Sequence, residues 1–248
     1  MFKMWAKKKK KGWDLPKAES TDSDKRVSKA RATEAREQSR KKPAQKGRKM
    51  KIYDISQEVF GCTVFPGDPQ PQKITMTDMD EGAMYNLTEI RMCAHNGTHV
   101  DSPYHFINEG KTIDEIALEK FIGMAFVAEH EGDVTAQDAQ RILKRAKEVN
   151  RESDKRIVLK GYLVVTKEAA QVFADAKVYL VGNESQTVGP ENAQMEVHLI
   201  LLGAEVVLLE GIRLAEVAEG AYFLNAAPMN LGGSDGAPCR AVLIDMEV

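Results

Sequence analysis

From Lys51 onward, apolar residues recur in short runs of strand length, interrupted by stretches with helical spacing. Lys51–Ser56 reads as a short strand, and Phe65-Pro66-Gly67-Asp68-Pro69 as a turn rich in backbone breakers. Met124–Ala128 is an apolar run of strand length. Over Asp133–Val149 the residues Val134, Ala139, Ile142, Leu143 and Ala146 share one face of a helix. Val158–Val165 and Val178–Val181 read as strands, separated by a helix near Lys167–Ala174. Glu191–Leu202 reads as a helix stopped by Gly203, and Val206–Leu209 and Ala241–Ile244 as buried strands. No internal repeat is visible. The mixture predicts an α/β fold in a single domain over residues 50–248.

Residues 1–49 do not share this pattern. The first fifty residues hold 18 basic and 6 acidic side chains, whereas the remainder holds 17 basic and 31 acidic ones. A segment so poor in apolar residues cannot offset its ordering entropy, which predicts a disordered basic leader. Three readings of the leader stand. It is a solvated tail, or an arm for nucleic acid or an anionic membrane surface with Phe2, Trp5 and Trp13 as interfacial aromatics, or it is not translated. In the last case translation starts at Met50, just after Lys46-Gly47-Arg48-Lys49, whose purine-rich codons resemble a ribosome-binding site.

Composition narrows the class further. Cys62, Cys93 and Cys239 are widely spaced with no CxxC pair, which fits free thiols in a reducing compartment. The Lys7–Lys11 run leads into polar sequence, unlike a signal peptide, and the apolar stretch Val197–Ile212 carries Glu205 and Glu210. A cytoplasmic protein with no membrane partner is the expectation, with nucleic acid disfavoured.

Three of the five histidines lie within the run His95-Asn96-Gly97-Thr98-His99-Val100-Asp101-Ser102-Pro103-Tyr104-His105-Phe106. In an extended segment side chains alternate, so His95, Gly97, His99 and Asp101 would face one side, and Pro103 would end strand pairing; a helix would also stack His95 over His99, but Gly97 and Pro103 weaken that arrangement. Two imidazoles and a carboxylate suit Zn²⁺, Mn²⁺ or Fe²⁺. Further along, His198 lies on the apolar helix before Gly203, and Glu210 ends the strand Val206–Leu209. Each alone reads as a helix cap or a loop residue. As a pair they complete a metal set of three histidines, one aspartate and one glutamate, able to hold two ions. His130, among Glu129, Glu131 and Asp133, reads as a solvated surface residue.

These residues resemble the cyclase family of metal-dependent hydrolases, which includes bacterial kynurenine formamidases and isatin hydrolases. The family motif H-x-G-T-H-x-D-x-P-x-H-F is matched at every fixed position from His95 to Phe106. The resemblance runs from about Lys51 to Val248 and includes Phe65-Pro66-Gly67-Asp68, His198, Glu210 and Gly236-Ala237-Pro238-Cys239-Arg240-Ala241. It implies an α/β domain of the swivelling β/β/α type, assembled as a homodimer or higher oligomer. It implies that His95, His99 and Asp101 bind one divalent ion, zinc or manganese. Asp101 would also reach a second ion held by His198, and Glu210 would contact both. His105 matches the residue that gives and takes the proton while metal-activated water attacks a small amide. Phe65 falls where kynurenine formamidases usually carry a substrate-contacting Trp, which keeps an aromatic wall but loosens the link to the same aryl substrate. An arylformamidase acting on N-formylkynurenine is the expected function; a hydrolase of another cyclic amide, imide or lactone is the alternative. A binding protein with a structural metal is disfavoured, because a structural site is closed by four ligands and needs no spare histidine.

Overall fold

The structure, a computed structural model, describes residues 50–190 and 194–246. The leader expected over 1–49 and the start of the helix expected from Glu191 lie outside the described residues. In chain order the strands are β1 (Lys51–Asp54), β2 (Gln72–Thr77), β3 (Leu87–Arg91), β4 (His99–Asp101), β5 (Ile122–Glu129), β6 (Gly132–Val134), β7 (Arg156–Lys160), β8 (Leu163–Val165), β9 (Leu180–Gly182), β10 (Val207–Glu210), β11 (Gly220–Asn225), β12 (Gly236–Pro238) and β13 (Val242–Asp245). The described α-helices are α1 (Ala136–Val149), α2 (Lys167–Asp175) and α3 (Gln194–Gly203).

Nine strands form one sheet in the order β1-β13-β11-β5-β7-β9-β10-β4-β12. Its centre, β5-β7-β9-β10, is parallel, and the flanking pairs are antiparallel. Each parallel step needs a crossover, and α1, α2 and α3 supply the three. All three helices pack on one face of the sheet. Alternation along the central strands shows this directly. Phe126, Ile157, Val181 and Leu208 share a core with Ala139, Phe173 and Leu201 of the helices, whereas Val127, Val158, Leu180 and Leu209 face a second core with Ile55, Phe121 and Leu243. Burying one side chain such as Phe173 stabilises the fold by about 1.5–3 kcal/mol. Among the described residues no helix is long and apolar enough to cross a membrane.

The mixed α/β architecture is the expected one, with local differences. The helix expected from Asp133 starts at Ala136, because Thr135 and Asp138 cap it reciprocally. The Thr135 N–H donates to Asp138 Oδ2 (2.9 Å) and the Asp138 N–H to Thr135 Oγ1 (3.3 Å). The strand expected over Val158–Val165 is two strands, since β7 stays in the main sheet while β8 pairs with β6. The helix expected to stop at Gly203 includes it. Its end is made by Glu205, at a left-handed φ of 58°, with the Val206 N–H donating to the Leu201 carbonyl at 2.9 Å. The strand expected as buried at Ala241–Ile244 is β13, of whose residues only Leu243 is buried. His130 is half-buried, and its Nε2 lies 3.1 Å from the Asp133 carbonyl.

The difference that matters most is in the histidine run. Expected to be extended from His95, it is strand only over His99–Asp101. The Asn96 side chain accepts the Cys93 N–H at 2.9 Å and the Asn96 N–H reaches the Cys93 carbonyl at 3.2 Å, which closes a turn. Gly97 leaves that turn at φ +70°, a left-handed conformation in which a side chain is strained. An added Cβ there would also press on Cys62 at 3.3 Å.

Candidate metal centre and active site

Strand alternation and register place three of the proposed ligands. In β10, Val207 and Leu209 belong to one core, so Leu208 and Glu210 point to the other face, towards the helices. In β4, Val100 joins the same core as Val207 and Leu209, so His99 and Asp101 point the opposite way, towards the helices. The antiparallel register sets Glu210 opposite His99 and Leu208 opposite Asp101. All three ionisable side chains therefore lie under α3, which brings His198 down from above, next to the buried Val197 and Leu201. The turn before β4 folds His95 back towards Asp101. Thr98 anchors it, donating to the Gly211 carbonyl at 2.7 Å and accepting the Gln57 N–H at 2.9 Å.

The resulting distances are short. His95 Nδ1 lies 2.8 Å from Asp101 Oδ1, and His99 Nε2 lies 3.4 Å from the same oxygen. His99 Nδ1 meets the Gly97 carbonyl at 3.0 Å, which turns Nε2 towards the carboxylates. His198 Nε2 is 3.5 Å from Glu210 Oε1 and 3.8 Å from Asp101 Oδ2. Glu210 Oε1 also accepts the Val188 N–H at 2.8 Å. Burial opposes charge on His95, but its bonds to Asp101 and Asp235 outweigh that and push its pKa up to about 10. Burial likewise opposes charge on His99, and Asp101 and Glu210 raise its pKa despite it. Desolvation works against the Asp101 carboxylate, yet His95 and His99 hold its pKa well below the usual carboxylate range.

This donor set fits a divalent cation. Asp101 and Glu210 are buried carboxylates, and among the described residues their ion pairs are with histidines and not with lysine or arginine. Two carboxylates and three imidazoles desolvated together need positive charge, and a metal provides it. The possible ligand atoms fall into three sets, each within 4.8 Å: His95–His99–Asp101 and Asp101–His198–Glu210, which share Asp101 and are the more deeply buried, and the partly buried His95–His105–Asp235.

His105 stands apart from the two sets that share Asp101. It ends a 3-10 turn, Pro103–His105, that begins just after β4, and its ring stacks on His95 at 4.0 Å between centroids. Together with Phe65, Phe106, Gln186 and Thr187 it lines a cavity of about 360 Å³, with His95, His99, His198 and Glu210 at its polar end. Six of the seven residues singled out in the sequence thus line one cavity, and the seventh, Asp101, is buried against His95, His99 and His198. Two contributions were not anticipated. Asp235 touches both His95 and His105, and its carboxyl is held far below the usual range by those hydrogen bonds. The Gln186 amide and Thr187 hydroxyl are buried at the cavity with no hydrogen-bond partner among the described residues. The only signal for Asp235 was an acid inside the loop Gly232-Gly233-Ser234-Asp235-Gly236, a composition that otherwise reads as a turn.

Known proteins are similar to this chain in sequence and, where solved, in fold. A kynurenine formamidase from Salinibacter ruber is 33% identical over 210 residues, covering 79% of this chain and 98% of its own length. Cyclase-like protein 2 of Arabidopsis thaliana is 31% identical over 219 residues, covering 79% of each. A solved structure described as a potential metal-dependent hydrolase with cyclase activity has a TM-score of 0.68 at 28% identity, covering 81% of this chain and 100% of its own. Isatin hydrolase A from Labrenzia aggregata shares the fold, with a TM-score of 0.67 at 18% identity, covering 91% of this chain and 100% of its own. Residues 53–190 match the Cyclase family model, and with these relatives the match makes this chain a member of the Cyclase family.

Proposed function

We propose that this metal-dependent hydrolase of the cyclase family is an arylformamidase, cleaving N-formylkynurenine to kynurenine and formate. The observation that carries the reading is the convergence of three imidazoles and two buried carboxylates at the end of a small-molecule cavity, with His105 beside them. His95, His99 and Asp101 would hold one ion, and Asp101, His198 and Glu210 a second; zinc and manganese both suit the set. A divalent cation supplies Lewis acidity, which makes water a competent nucleophile near neutral pH and stabilises charge on the carbonyl oxygen.

The chain's own groups do the rest. His105 gives its Nδ1–H to Asp235, so Nε2 keeps a lone pair. That nitrogen takes a proton from the attacking water as the oxygen–carbon bond forms. It returns the proton to the substrate nitrogen as the carbon–nitrogen bond breaks. Phe65 offers an aromatic wall for the aryl ring, and Gln186 and Thr187 offer unsatisfied polar atoms to the polar end of the substrate. The cavity volume of about 360 Å³ suits a molecule of this size.

The test is a panel of N-formylkynurenine, isatin and a lactone, each with metal-loaded and chelator-treated protein. Formate release from N-formylkynurenine that chelation abolishes is the expected result. Preferential opening of isatin would replace the reading with a cyclic-amide hydrolase, and turnover surviving chelation would end it. A homodimer belongs to the same reading. The hairpin β2–β3 exposes Met76 (53%), Leu87 (48%) and Ile90 (58%), the kind of apolar surface that subunit contacts cover. Sedimentation of the same preparation as a monomer would refute that part.

A further inference from the structure

We propose that Asp235 is a positioning residue that ties the proton-transferring His105 to the metal-ligand cluster by fixing the tautomers of two histidines at once. The inference rests on the functional reading above, but its first readout needs no substrate.

The geometry is specific. One oxygen, Asp235 Oδ2, lies 2.9 Å from His95 Nε2 and 3.1 Å from His105 Nδ1. The two rings are stacked, 26° from parallel, so a single acceptor meets one nitrogen of each. An ionised carboxylate only accepts, so both of these nitrogens must carry hydrogen. That assigns the roles of the other two nitrogens. His95 Nδ1 faces Asp101 Oδ1 at 2.8 Å in the ligand cluster, and with Nε2–H held by Asp235 it is the nitrogen that would give up its proton to a bound cation. His105 keeps its lone pair on Nε2, the atom that must take the proton. In metal sites a ligating histidine commonly donates its other N–H to a carboxylate, which fixes ring and tautomer. In hydrolytic triads a carboxylate does the same for the base. Here one carboxylate serves both relations.

Asp235 is itself held in place. Its carbonyl accepts the Ser102 N–H at 3.0 Å and the Ser102 hydroxyl at 2.8 Å, at the foot of the turn that carries His105. Gly236, the next residue, pairs opposite Asp101. An added Cβ at Gly236 would sit 2.7 Å from His95 Cε1, so the backbone closes against the ring it orients.

Asp235→Asn is the discriminating variant. It keeps the shape and every backbone contact, but its amide can donate to an imidazole and release the tautomer. Calorimetric titration with Zn²⁺ alone is expected to show affinity reduced by about 10–100-fold. At saturating metal, kcat is expected to fall by more than about 10-fold with KM changed little, as when an interaction acts in the transition state. In a His105→Ala background the same substitution is expected to leave kcat unchanged, because residues acting as one unit are not additive. A purely structural role would lower kcat equally in both backgrounds and would overturn the proposal. So would wild-type zinc affinity in Asp235→Asn. If that variant lost its cooperative thermal transition, Asp235→Ser would be put through the same measurements. A wrong substrate assignment would leave the zinc titration unaffected, so the two failures are distinguishable.

Discussion

His105→Ala is expected to lower kcat by about 10²–10⁴-fold while the protein retains its metal. The size follows from what a positioned acid/base contributes, and the selectivity follows from placement. His105 lies outside the two sets of ligand atoms that share Asp101, and it meets the cluster through the stack on His95, the bridge of Asp235 and an edge contact with the His198 ring. Removing its ring leaves the Asp101, His99, His198 and Glu210 contacts in place. Metal analysis after dialysis, paired with steady-state kinetics, separates the two effects. A variant that turned over substrate at the wild-type rate would remove His105 from the mechanism, and one that lost its metal would place it among the ligands.

Asp101→Asn is expected to have the larger effect on the metal. Asp101 is the one residue common to the two more deeply buried ligand sets, with Oδ1 facing His95 and His99 and Oδ2 facing His198. An amide presents one acceptor and no charge, so neither set keeps its donors. The loss of affinity should exceed about 100-fold, because outer partners of metal ligands alone cost 10–100-fold. Activity falls with it. The metal-free proteins should also differ in acid. The Asp101 pKa is depressed in the folded state, so its contribution to stability is present above the ordinary carboxylate pKa and is lost as the pH falls below it. The stability gap between wild type and variant should therefore narrow on acidification, as read by urea titration at several pH values. A variant purified with its full metal content would overturn the assignment.

Much of the site was legible because its chemistry is concentrated in one run. Three histidines and an aspartate within eleven positions stand out in a chain with five histidines. Glu210 was visible as a charge ending an apolar strand, where burial without a partner is costly. Asp235 was not, because it meets His95 across 140 positions, and distance along the chain carries no sign of such a contact. Gln186 and Thr187 were hidden for the same reason. The hairpin β2–β3 escaped notice because every residue of β3 is exposed. Without a buried face there is no alternation to read. The histidine run departs from the strand its periodicity predicts because a side chain, Asn96, closes a turn that the pattern of apolar positions does not encode.

The pairing of β4 with β10 has a consequence for assembly of the protein. A shift of one position would send Val100 into the cavity and drive His99 and Asp101 into the dry apolar core on the far side. Such a chain would lose the metal centre and at the same time bury charges with nothing to compensate them. The groups that perform the chemistry thereby proofread the sheet. A misaligned molecule is penalised by the ionisable residues it misplaces, and an aligned one is further selected by any cation that binds it.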